Sequence, residues 1–164
     1  MQQSHLQWWI RFTNLQPSFF AGHDNEGCST CDDAITAMQI PRELEGFDVA
    51  GAVARMLDRP ELWWHALGFF VRHFSGWKNG WLESVGDPAA ERRSVHAVRS
   101  AAANVGAVEL ARQAEALEKI LLQHMAGDCG ESPDAVRVAL AKAFDHAWGN
   151  ADAAWRETGC GLPE

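Results

Sequence analysis

Beyond residue 45, apolar positions recur every three or four residues, and proline, glycine and aspartate punctuate the runs. Gly46-Phe47-Asp48 opens the first run. Asp48 suits the cap of a short helix over 49–57, because its carboxylate accepts first-turn N–H groups that have no partner within the helix. Asp58-Arg59-Pro60 breaks that helix, and Pro60 fits the first turn of the next. From 61 to 85, Trp63, Leu67, Phe70, Phe74, Trp77, Trp81 and Val85 step by four, three, four, three, four and four. That heptad-like stripe predicts one helix of about seven turns facing a bundle seam. Gly68, Gly76 and Gly80 weaken it by about 1 kcal/mol each relative to alanine, which packing has to offset.

Gly86-Asp87-Pro88 is a tight turn with a helix-ending glycine, a capping aspartate and a first-turn proline. It predicts a helix over 88–105 folding back on 61–85, with Gly106 as its stop. A further helix is expected over 107–126, its inward stripe Leu110, Ala114, Leu117, Leu121 and His124, with Glu115, Glu118 and Lys119 outward. Gly127-Asp128-Cys129-Gly130 breaks the chain, and Ser132-Pro133-Asp134 starts a last helix with a capping serine. Val136, Leu140, Phe144, Ala147, Ala151 and Trp155 form its stripe. One short helix and four long ones on short joins make an all-α fold, an antiparallel four-helix bundle with a short N-terminal helix. We expect the bundle over 44–158, an irregular N-terminal segment or linker over 1–43 and a frayed tail over 159–164. The first segment carries turn formers and five aromatics (Trp8, Trp9, Phe12, Phe19, Phe20), with a short helix possible over 4–12.

The helix over 88–105 has two unlike faces. Val95, Val98, Ala101, Ala102 and Val105 fall on one side; Arg92, Arg93, His96, Arg99, Ser100 and Ala103 fall on the other. The first face is small and apolar, fit for close packing. The second sets a histidine among three arginines in a 164-residue chain whose net charge is −8. That acidity argues against a nucleic-acid binder, which needs a basic surface. Four scattered cysteines fit a reducing compartment better than a disulfide framework. With no run near the ~20 apolar residues a bilayer demands, and no basic-then-apolar leader in MQQSHLQWWIRF, the expectation is a cytoplasmic chain without membrane contact, or a piece of a larger anchored protein. Cys28-x-x-Cys31 beside His23 invites zinc, but a structural site needs four ligands and no second pair exists. No metal site or cofactor is expected.

The run His96-Ala97-Val98-Arg99-Ser100-Ala101-Ala102-Ala103-Asn104-Val105-Gly106-Ala107 resembles the histidine phosphotransfer (HPt) motif His-x-Leu-Lys-Gly followed, after five intervening residues, by Gly-Ala. Gly46-Phe47-Asp48-Val49, Asp58-Arg59-Pro60-Glu61-Leu62-Trp63 and Ala114-Glu115-Ala116-Leu117-Glu118 are similar to neighbouring parts of that family. The resemblance covers about 46–126, and less clearly the helix to 157. It implies a phosphocarrier, not an enzyme, in which His96 accepts a phosphoryl group from a receiver-domain aspartate and passes it to another receiver. It implies as partners response-regulator receiver domains, a hybrid sensor histidine kinase, or both.

By position, Arg99 replaces the family's lysine and would hold phosphate oxygens, and Ser100 replaces its glycine. Arg92 adds positive field, and Ala103 keeps the docking face low. Reflection about the 86–87 turn sets Trp77 and Lys78 level with His96. Phe74, Trp77 and Trp81 are then candidates for an apolar collar or for plain core. The chain lacks a glycine-rich nucleotide loop, as a carrier would. The competing expectations are a related bundle that docks a receiver or kinase without passing phosphate, and a bundle enzyme or metalloprotein.

Overall fold

The computed structural model describes residues 40–128, 130 and 132–158. Every described residue lies in one unit of the chain, Met38–Glu164. The short helix expected over 4–12, the Cys28/Cys31 pair with His23 and the tail 159–164 lie outside the described residues. Six helices are present among the described residues: α1 Val49–Arg55, α2 Pro60–His73, α3 Trp77–Glu83, α4 Pro88–Val105, α5 Val108–Met125 and α6 Asp134–Glu157. No strand occurs among them, only isolated bridges from Phe47 to Leu44 and to Ala107.

The local signals act where the spacing placed them. Asp48 Oδ1 accepts the Gly51 N–H at 2.9 Å, and Asp87 Oδ1 accepts those of Ala89 and Ala90 at 3.0 Å. The last helix departs from this: Pro133 holds the cap position with no side-chain cap, and Ser132, expected as the cap, sits one residue outside it, its Oγ accepting only a long bond from the Asp134 N–H at 3.4 Å. Gly106 closes α4 with φ +86°, in the left-handed region that glycine tolerates. A Cβ there would also stand 2.5 Å from the Asp48 carbonyl oxygen, and the Asp48 N–H donates to Gly106 O at 2.8 Å. The Gly-Ala step is therefore the point at which the chain before α1 crosses the end of α4.

Two expected helices change. The first stops at Arg55, two residues early, because Leu57 and Asp58 both turn to positive φ. The seven-turn helix over 61–85 is two helices. Phe74 ends α2, the Trp77 N–H closes a tight turn on Phe74 O at 3.1 Å, and Gly76 begins α3. The Ser75 hydroxyl donates to Arg72 O, giving that carbonyl a side-chain partner at the break. The heptad count survives the break only in part: Trp63, Leu67, Phe70, Phe74 and Trp81 are buried, whereas Val85 is exposed.

The four long helices form a ring of contacts, α4 on α5, α5 on α6, α6 on α2 and α2 on α4. The two-residue join between α4 and α5 makes that pair antiparallel. Inside the ring α2 supplies bulk (Trp63, Trp64, Leu67, Phe70), while α4 supplies small side chains (Val95, Val98, Ala102, Val105). Small residues on α4 let α5 approach closely, bringing Leu110, Ala114, Leu117 and Leu121 against it. Leu140, Phe144, Ala147 and Ala151 of α6 complete the core. Gly68 opens space on α2 for the Trp155 indole, whose ring meets Trp64 at 5.0 Å; a Cβ at Gly68 would run into it. The Trp63 Nε1–H donates to Val105 O at 2.9 Å, tying α2 to the last turn of α4.

Candidate functional site

His96 lies mid-way along α4 on the side away from the core, with its side chain 53% exposed. Val95 and Val98, packed inward, fix the helix so that this face looks out. The carboxylate of Glu118 on α5 lies against the ring, with its side chain only 6% exposed. Glu118 Oε1 is 3.0 Å from His96 Nδ1, and Oε2 is 3.1 Å from Arg99 Nη1. Arg92 Nε stands 3.6 Å from Oε1. The sequence reading placed Glu118 outward, and the structure corrects this: it is buried at the α4–α5 seam. On α5 it is four residues after Ala114 and three before Leu121, so it borders the apolar stripe rather than opposing it.

The arrangement has a definite polarity. An ionised carboxylate only accepts, so the contact with Glu118 calls for the proton on His96 Nδ1. Nε2 then carries the free lone pair. The two arginines do not saturate the acid. Arg99 and Arg92 are close enough to be ion pairs, yet Glu118 Oε2 and Arg92 Nε, both buried, make no hydrogen bond of good geometry within the protein. Both arginine side chains keep more than a third of their surface in solvent.

The other predicted residues divide. Ser100 stands one turn beyond His96, and its hydroxyl donates back to the His96 carbonyl at 2.9 Å, so it adds little height to the face. Ala103, a turn further on, is exposed on the same face. Arg93 is exposed. Phe74 and Trp81 are core side chains, not a collar. Trp77 is half-buried: its ring stacks on Trp81 at 5.1 Å, meets Phe144 at 4.7 Å, and its Nε1–H donates to Ser94 O. Lys78 reaches Asp145 of α6 at 2.6 Å. These two side chains dock α3 on α4 and α6.

Residues 79–151 match the family model described as the Hpt domain. That stretch of the chain is similar to an Hpt domain. The match takes in most of α3, all of α4 and α5 and most of α6; it leaves out α1 and α2, which the resemblance had included from Gly46. It spans a little under half of the chain, and no curated protein or solved structure matches the sequence. Hpt domains carry phosphoryl groups in phosphorelays, where they interact with receiver domains and kinases and are not kinases themselves. No helix among the described residues is long and apolar enough to cross a membrane, and no group of three or more His, Cys, Asp or Glu among them could hold a metal.

Glu118 is the site residue that sequence reasoning missed. Its signal was available: reflecting His96 about the Gly106–Ala107 join lands at 117–118, and only Glu118 there is ionisable.

Proposed function

We propose that His96 is the phosphoacceptor of this Hpt domain, taking a phosphoryl group from a receiver aspartate and returning it to another in the cytoplasm, with the folded module spanning about 44–158. The observation that carries this reading is an exposed His96 whose Nδ1 faces the buried Glu118 carboxylate at 3.0 Å. Nε2 attacks phosphorus in line: the N–P bond forms, the acyl phosphate P–O bond breaks, and the aspartate leaves as carboxylate. Glu118 accepts the Nδ1–H hydrogen bond, which fixes the neutral ring in the tautomer with its lone pair on Nε2 and aims that nitrogen at solvent.

Arg99, one turn along, has further N–H donors for phosphoryl oxygens that carry negative charge in the transition state. Arg92 adds positive potential from the turn before. Ser100 and Ala103 leave room for the receiver's surface. Trp77 and Lys78 shape the bundle under this face and are not part of our docking surface.

The test is transfer from a receiver domain charged with acetyl phosphate. Acid-labile phosphate should appear on the wild type, and ³¹P NMR should place it on Nε2. His96→Gln should abolish it while keeping the helical circular dichroism. Equal labelling of His96→Gln would sink the assignment. A receiver complex that forms but never transfers label would identify a docking module instead.

A further inference from the structure

The last turn of α1 touches the face of α4 that carries His96. The Ala103 carbonyl belongs to the last turn of α4, where the Ala107 N–H turns instead to Ala102 O at 2.9 Å. Arg55 Nη2 supplies a donor there, bonding Ala103 O at 2.8 Å. Ala103 is seven residues beyond His96 on the same face, about 10 Å along the helix. Arg55 thus extends the basic stripe of Arg92 and Arg99 by a residue from another helix.

Its charge is differently placed from theirs. Arg92 and Arg99 lie against Glu118, Arg112 against Glu109, Arg137 against Glu91 and Arg156 against Asp152, while Arg42, Arg59, Arg72 and Arg93, none of which bonds to α4, share with Arg55 the lack of a carboxylate partner among the described residues. Arg55 is exposed, its bonded partner is a neutral carbonyl, and among the described residues no carboxylate pairs with it. Its remaining N–H donors make no hydrogen bond among the described residues. Two residues on, Leu57 has φ +59° and is 82% exposed, and Asp58 follows at φ +55°. Consecutive non-glycine residues in that region are uncommon, and here the turn holds a leucine out beside the arginine.

We infer that Arg55 and Leu57 form a second docking point for the receiver domain, Arg55 pairing with an acidic side chain and Leu57 entering an apolar contact. This rests on the phosphotransfer reading. An unpaired cation beside an exposed leucine, continuous with the His96 face, suits a partner that presents a carboxylate near an apolar depression. The contact orients the receiver and leaves the chemistry at His96 untouched.

The experiment measures initial transfer rates against the concentration of a receiver domain charged with acetyl phosphate, for wild type, Arg55→Glu, Arg55→Lys and Leu57→Ser. Arg55→Glu should raise the half-saturating receiver concentration about tenfold or more, with the maximal rate within about twofold. Its salt dependence should flatten. Arg55→Lys should stay near wild type, and Leu57→Ser, which leaves the bond to Ala103 intact, should weaken binding several-fold.

Unchanged half-saturation in both Arg55→Glu and Leu57→Ser, with only a lowered melting temperature for the first, would reduce Arg55 to a cap on α4 and overturn the proposal. Calorimetric binding of the same receiver separates the two readings. Arg55-dependent binding without transfer keeps the docking point and removes the phosphotransfer reading, and no binding removes both. Light scattering that shows wild-type dimers lost in Leu57→Ser would assign the surface to a second copy of the chain instead.

Discussion

Glu91 of α4 and Glu118 of α5 are the two charged residues buried among the described ones, and each lies against arginine, yet they are built differently. Glu91 is closed. Arg137 of α6 grips it with Nε at 2.9 Å and Nη2 at 2.7 Å, and the Trp81 Nε1–H adds a bond at 3.3 Å. Arg137 is held in turn by Asp134, and the bond to Glu91 raises its pKa above the ordinary guanidinium value. Glu118 is open. Its three basic neighbours come from one face of α4, its Oε2 has no well-aligned donor, and the group nearest to it is an exposed imidazole.

A buried carboxylate whose lone pairs are filled by a bidentate arginine has one low-energy arrangement, which suits joining α4 to α6. A carboxylate with partners to spare on the solvent side can let an arginine turn outward without being left unpaired. On the proposed reading, the contrast separates a strut from the phosphotransfer site. Burial of an acid is common to both; the completeness of its hydrogen bonding tells them apart.

The sharpest way to break this comparison is to strip Arg137. Arg137→Ala leaves the Glu91 charge buried without its partner and should cost about 3–5 kcal/mol in urea denaturation. The fraction that remains folded should accept phosphate at the wild-type rate. A loss below about 1 kcal/mol would mean that the closed site is not a strut. The double change Glu91→Leu with Arg137→Met should recover most of the loss, because the pair's desolvation cost disappears with it.

Glu118→Gln reverses the pattern. Volume is kept and stability should move little, but the amide can present its NH₂ to Nδ1 and favour the tautomer with the proton on Nε2. Transfer to His96 should fall by roughly 10²-fold. The ¹⁵N shifts of the His96 ring should report the change of tautomer. A large stability loss with unchanged transfer would make Glu118 a second strut.

The smallest effect belongs to an exposed pair on α5. Glu109 accepts from Arg112 and Gln113, and these bonds hold its pKa down from 4.5 to about 2. A depressed carboxylate stabilises the fold above its unfolded pKa and loses that contribution as pH falls through its folded one. Glu109→Gln should therefore lie slightly below wild type at neutral pH, the gap closing between pH 4.5 and about 2. Exposure of both side chains keeps the difference small. A gap comparable with that of Arg137→Ala would show that pairing alone, without burial, makes a strut.

Much of the fold was legible because its signals are local. Asp48, Asp87, Gly106, Pro60 and Pro88 act within one turn of themselves, and the apolar spacing names the buried faces of α4, α5 and α6. The break at 74–76 was harder to see, since a stripe in heptad register runs on across a turn that returns its residues to the core. His96 and Arg99 were legible for the same reason as the caps: they are three residues apart on one exposed face.

Tertiary structure alone decided what stands beneath them. His96 and Glu118 are 22 residues apart, and they meet because small side chains on α4 draw α5 close and the Gly106–Ala107 join sets the register between the two helices. Periodicity within one helix assigns a border position such as 118 to neither core nor solvent. The neighbouring helix makes that choice, by offering an apolar wall or, as here, a histidine and two arginines that keep a buried charge paired.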